Sequence, residues 1–452
     1  MKTTTSTPAS SPRPSASTEP LVGEIETFLA DALSQMPAEP PPRTPGRPRI
    51  LPGLALWAGM LVCVLRGFTG QTAVWRLLTQ RCLWFFPRFT VCDEAVYDRL
   101  DREGTGPLEA IFQQVRQVLS KRLATVKLPQ TAELAPFATE VYALDESTLD
   151  QVARTLPALR GVPAGDDRLL PGKLSALFDI RRQQWHTVQF TANPHQNEKV
   201  AARGMVEKLA KGSLILADLG YFAFAWFDWL SSQGFFWISR LREKTSFTVL
   251  HTLYRDGETF DGIVFLGRYR ADRGAHAVRL TQFRVGGVFY QYITNVLDPY
   301  QLTPLMMAQI YARRWDIELA FLLIKQHLNL HMLWSAKDIV IQQQVWAVLI
   351  ISQILQALRL EIAWKAGVDP FEVSMELLVQ YAPQIAADGQ DPVEVFVERG
   401  RFLRFIRPSR RTIIRAPEIP PEAIVPMPPD LVLVRTERHA QRKCGPRPKV
   451  KS

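Results

Sequence analysis

A chain of 452 residues, 47% hydrophobic and 22% charged, is too apolar to be disordered throughout and long enough for roughly two to four domains. Its net charge of +10 is concentrated in residues 399–452, which hold 14 Lys and Arg against 4 Asp and Glu while the remainder is balanced; that end suits a polyanion such as nucleic acid, with a solvated solubility tail as the plain alternative. The cysteines, Cys63, Cys82, Cys92 and Cys444, have no close paired spacing, which argues against a zinc ribbon or a disulfide framework and fits a reducing cytoplasm.

Residues 1–47 are rich in Pro, Ser and Thr, and the first twenty lack the apolar core of a signal peptide, so they read as a disordered leader. From Ile50 to Leu128 the apolar spacing is helical, in Leu54 to Val64, Ala73 to Leu78, Ala95 to Leu100 and Leu108 to Leu123, with a break at Pro87 to Thr90. Gly70-Gln71-Thr72 caps one of these helices, and short helices between turns predict a helix-turn-helix type bundle over 48–135. The run Leu51 to Leu65 is shorter than the roughly 20 residues a membrane helix needs.

Residues 136–365 alternate strand and helix. Val141 to Leu144 is a short buried strand that runs into Asp145. Lys173 to Phe178 and Thr187 to Thr191 follow as strands, and Asn197 to Ala210 as an amphipathic helix. Leu214 to Ala217 is a strand ending in Asp218, Phe222 to Leu230 a helix, and Phe235 to Ser239 a strand. Three strands, a helix, a strand, a helix, a strand: that order fits a ribonuclease H-like mixed sheet in an α/β fold. Residues 241–300 change to alternating β patterns and read as an all-β insertion.

Thr303 as N-cap and Pro304 at the first helical position then predict one helix carrying Tyr311, Arg314, Glu318 and Lys325, which on a regular α-helix fall within roughly a 60° arc. The rest of the stretch from Trp315 to Leu328 is strongly apolar, so the helix is expected to be buried, and a lone carboxylate there needs a cation. His327 and His331 are four apart but fall on the side away from Glu318, as packing or surface residues. From Ile339 to Ala363 an apolar run is interrupted by Gln342, Gln343, Gln344, Gln353, Gln356, Arg359 and Glu361, which favours a buried helix over a membrane span. Residues 366–452 form a mixed C-terminal region, proline-dense from Pro417 to Pro429, with a mobile basic end.

Two acids at strand ends and a third on a downstream helix form the hard-oxygen donor set that divalent cations need for phosphoryl transfer. Taken singly, each acid reads as a strand-end Asp or a paired helical Glu; order and spacing together make a site. With Tyr311, Arg314, Glu318 and Lys325 spaced as Tyr, two residues, Arg, three residues, Glu, six residues, Lys, the chain resembles the DDE transposases of the insertion-sequence-4 family. Further matching segments are Asp145-Glu146-Ser147-Thr148, Asp218-Leu219-Gly220-Tyr221-Phe222, Arg240 and Tyr292-Ile293-Thr294-Asn295, so that the resemblance covers roughly residues 136–360.

The resemblance implies catalysis by Asp145, Asp218 and Glu318 holding two Mg²⁺ or Mn²⁺ ions. It further implies DNA contacts by Tyr311, Arg314, Lys325 and Arg240, and recognition of element ends by the N-terminal helices. The partner implied is double-stranded DNA, both element ends and target, met by a homodimer in a synaptic complex on a bacterial nucleoid in the cytoplasm, with no membrane involved. Many relatives have Arg directly after the second acid, where this chain has Leu219, so a phosphate contact there is lost or supplied from elsewhere. The rival readings are a degenerate or domesticated DNA-binding copy, and a plain ribonuclease H-like nuclease.

Overall fold

The structure, a computed structural model, describes residues 23–37, 50–126, 134–148, 158, 160–163, 172–191, 198–268, 272–335, 337–409, 411 and 413–435. Among these residues nine strands build one sheet: β1 (Val141–Thr148), β2 (Lys173–Asp179), β3 (Gln184–Thr191), β4 (Leu214–Ala217), β5 (Phe236–Arg240), β6 (Phe247–Asp256), β7 (Thr259–Leu266), β8 (Val278–Val285) and β9 (Val288–Thr294). Their order is β3-β2-β1-β4-β5-β9-β8-β7-β6. The β1–β4 and β4–β5 pairs are parallel and all others antiparallel, a mixed sheet. Helix α6 (Glu198–Val206) joins β3 to β4, and α7 (Phe224–Ser232) joins β4 to β5. The expected succession of strands and helices is therefore the one observed.

Residues 247–294 contain four strands and, among the described residues, no helix; they extend the same sheet through the β5–β9 pair rather than folding on a sheet of their own. Inside this extension Arg279, fully buried, pairs with Asp261 and donates to the Leu302 carbonyl at 2.5 Å. That bond fixes the chain just before Thr303, whose hydroxyl accepts from the Met306 amide and caps α8 (Pro304–Ala312) as expected.

The four N-terminal helices also form where the periodicity places them: α2 (Gly53–Leu65), α3 (Gln71–Gln80), α4 (Asp93–Arg102) and α5 (Gly106–Leu123). They do not stand apart as a domain. The long helix α10 (Asp338–Ala366) is buried along nearly its whole length, and α2, α5 and both C-terminal helices, α11 (Met375–Ala387) and α12 (Pro392–Arg399), pack on it and share one core with the sheet. Its glutamines explain how an apolar helix long enough to cross a membrane sits inside a protein. Gln343 donates to the carbonyls of Leu100 and Glu103, and Gln344 bridges the Trp334 amide and the Met332 carbonyl, satisfying groups at helix ends and loops packed against it.

Two expectations are corrected. Within the supposed leader, α1 (Gly23–Ser34) is a helix whose Ile25, Leu29, Ala32 and Leu33 are buried at helical spacing. Its Glu26, 1% exposed, accepts from Arg66 and from the Trp84 indole, tying it to the end of α2. The remainder of the leader, 1–22 and 38–47, and the basic end 436–452 lie outside the described residues.

The single helix expected from Thr303 through Lys325 is interrupted twice. After α8 the chain tightens into bonds of the i to i−3 type over Arg313–Ile317, continues as α9 (Trp315–Leu322), and then widens into a π turn over Leu323–His327, closed by the Leu328 amide on the Leu323 carbonyl. The arc that placed four signature residues on one regular face therefore does not apply as drawn.

Candidate active site

Strand register brings two acids together. Leu144 on β1 lies opposite Ala217 on the parallel strand β4, so Asp145, which lies within β1 opposite Ala176 and not at a strand end as expected, and Asp218, just past the end of β4, come side by side at about the 4.8 Å spacing of neighbouring strands. Side chains alternate along a strand: Val141, Ala143, Leu214 and Leu216 enter the core that also holds Ile317, Ala320 and Phe321, so the same alternation turns Asp145 and Asp218 toward α9. Glu318 comes from α9, which packs on β1.

Burial, and then the charges of Asp218 and Glu318, push the Asp145 carboxyl up to about 6, against the opposing pull of the Glu146 amide and Arg314. The three acids thus share one electrostatic environment. Each is also engaged separately. Asp145 Oδ1 accepts from the Glu146 amide at 2.8 Å, Asp218 Oδ1 caps its own turn through the Gly220 amide at 2.8 Å, and Glu318 Oε1 meets Arg314 Nη2 at 2.8 Å. Accordingly, among the described residues no three His, Cys, Asp or Glu are gathered as a metal cage. The donor chemistry nevertheless fits a hard divalent cation: carboxylates only, one of them costly to ionise without added positive charge.

The signature residues take distinct places. Tyr311 is buried, donates to the Ala217 carbonyl at 3.3 Å and lies 5.3 Å from the Tyr292 ring, fastening α8 to the residue before Asp218. Burial raises its phenol above the ordinary value, so it stays a neutral donor. Arg314 is 8% exposed; burial opposes its charge, but Tyr311, Glu318 and Asp145 outweigh that and hold the guanidinium cationic. Lys325, in the π turn, stands 5.6 Å from the Phe321 ring. Arg240, exposed at the end of β5, acts electrostatically on both Tyr292 and Tyr311. The His331 ring pairs with the Lys325 carbonyl, away from the acids.

The expected all-round burial of this helix is also corrected: Trp315, Leu319 and Leu322 form an exposed stripe, with Trp315 58% exposed and lying under the Arg314 guanidinium.

Asp316 escaped the sequence reading. It is 1% exposed and accepts from Arg313 at 2.7 Å, Arg411 at 2.8 Å and Gln183 at 2.8 Å; Gln183 in turn accepts from Arg359, and all three arginines face the Phe371 ring. Its sequence signal was an acid inside an apolar run, two residues before Glu318. The partners come from distant parts of the chain, which local spacing does not reveal.

Residues 153–354 match the family model of the transposase DDE domain. The DDE match spans Asp218 and Glu318, begins just after β1 and supports a DDE transposase. Among solved structures, a cryo-EM structure of a piggyBac transposase synaptic complex with hairpin DNA aligns over 88% of this chain and 84% of that one, at 8% identity and a TM-score of 0.38, too distant a likeness to carry an argument. No curated protein matches the sequence.

Proposed function

We propose that this chain is a metal-dependent transposase of the insertion-sequence-4 type, with a ribonuclease H-like catalytic core, acting as a homodimer on the double-stranded ends of its own element in a bacterial cytoplasm. The observation that carries the reading is the convergence of Asp145, Asp218 and Glu318 from two neighbouring parallel strands and one helix, beside a buried Arg314. The DDE domain match supports it independently.

Asp145, Asp218 and Glu318 would hold two Mg²⁺ or Mn²⁺ ions, which when bound activate the attacking oxygen and stabilise the leaving one. Metal binding would draw Asp218 from the Gly220 amide and Glu318 from Arg314, and would free the guanidinium to receive a phosphoryl oxygen in bidentate fashion. Lys325, in the π turn that follows α9, would offer a further point charge for a phosphate. The neutral Tyr311 is an anchor and donor, not a nucleophile. Arg240 offers a phosphate contact at the end of β5, and the N-terminal helices offer the surface for reading the ends.

A labelled duplex carrying the inverted repeat that flanks the gene, incubated with Mg²⁺ and a target plasmid, tests the proposal. Joined products are expected; cleavage without joining indicates a nuclease, and binding without cleavage a degenerate copy.

A further inference from the structure

The turn that follows Asp218 carries no charge of its own, and Leu219 in it is 36% exposed. Two cations nevertheless reach this turn from separate elements. Lys199, on α6, donates to the Gly220 carbonyl at 3.2 Å, and Arg242, just beyond β5, donates to the Leu219 carbonyl at 2.9 Å while its guanidinium lies 5.0 Å from the Phe222 ring. Among the described residues Arg242 meets a carbonyl and an aromatic face, not a carboxylate, and it is exposed. A carbonyl occupies one of the five N–H donors of a guanidinium, and the aromatic face fixes its plane, so a charged edge is presented to solvent beside Asp218.

We infer that Lys199 and Arg242 form a second phosphate grip, holding a DNA backbone phosphate across the Asp218 turn, separate from Arg314 at Glu318. The inference rests on the DNA-processing reading above and adds to it: cations stand at the Asp218 turn as well as at Glu318, so a strand crossing the acids is held at two points. Arg240, two residues before Arg242, extends the same rim toward Tyr311.

The test uses the full chain, a short labelled duplex and no metal, so that binding is read apart from cleavage. Affinity is measured over a salt series for the wild type, Lys199→Gln, Arg242→Gln, the double variant and the charge-conserving Arg242→Lys, with melting temperature alongside. Each neutral substitution is expected to reduce the log–log salt slope by about one and the double variant by about two, with Arg242→Lys close to wild type and melting unchanged. A wild-type slope in the double variant, with lowered melting temperature, would mean that the two cations only brace the turn and overturns the grip. Absence of salt-dependent duplex binding by the wild type would instead defeat the DNA reading itself, and the grip with it.

Discussion

Asp316 shows how a residue outside the reacting set fixes one inside it. Its carboxylate is fully buried and takes hydrogen bonds from Arg313, Arg411 and Gln183, so it sets where α9 begins and hence where Glu318 emerges. Removing one member of a buried ionic network leaves its partners uncompensated, and Asp316→Ala is expected to cost about 3–5 kcal/mol of folding stability, read by denaturant unfolding. A loss below about 1 kcal/mol, the scale of an exposed pair, would show that the network bears no weight. His186 supplies a pH test. Burial, and then Arg116, hold its imidazole down at about 4, from an ordinary 6.5. The fold thus prefers the neutral ring: the contribution is complete above pH 6.5 and is lost as pH falls through 4. In His186→Gln, melting temperature should decline less steeply between those values than in the wild type, and a parallel decline would refute the assignment.

At the scale of elements, strands and helices were legible wherever periodicity is local. Val141 to Leu144, Leu214 to Ala217 and the four N-terminal helices fall within a few residues of their expected bounds. The order of the acids along the chain was equally legible. The two interruptions between α8 and Lys325 were not, because the tightening at Arg313–Ile317 coincides with bonds to Gln183 and Arg411, distant in sequence. Helix α1 was missed for a different reason: Ile25, Leu29, Ala32 and Leu33 carry a clear helical pattern, but proline-rich and serine-rich flanks dominated the composition. Glu26, which joins α1 to Arg66 and Trp84, gives this element its own test. Glu26→Ala leaves the half-buried Arg66 guanidinium and Trp84 indole short of an acceptor and should destabilise the protein by about 1–3 kcal/mol, whereas substitution of a dispensable leader residue would be silent.

For the whole molecule, the shared core changes what truncation can show. Because α2 and α5 pack on α10, removing residues 48–135 would strip one side of the central helix and expose Ile354 and Leu358, which lie beside Leu119 of α5. The truncated chain is therefore expected to lose cooperative unfolding and not merely preference for element ends; circular dichroism melting decides, and a sharp transition near the wild-type temperature would restore the picture of an independent N-terminal domain. Residues 436–452, with 6 Lys and Arg against 1 acid, are expected instead to contribute general DNA attraction, so their removal should weaken binding to all duplexes about equally.

The central claim is that Asp145, Asp218 and Glu318 act as one metal-holding set, and the most direct measurement is Mg²⁺-dependent cleavage of a labelled element end by Asp145→Asn, Asp218→Asn and Glu318→Gln, with duplex affinity and melting measured on the same preparations. Each variant is expected to fold and bind DNA while cleavage falls below detection; cleavage at the wild-type rate by any one of them would contradict metal holding by the three acids.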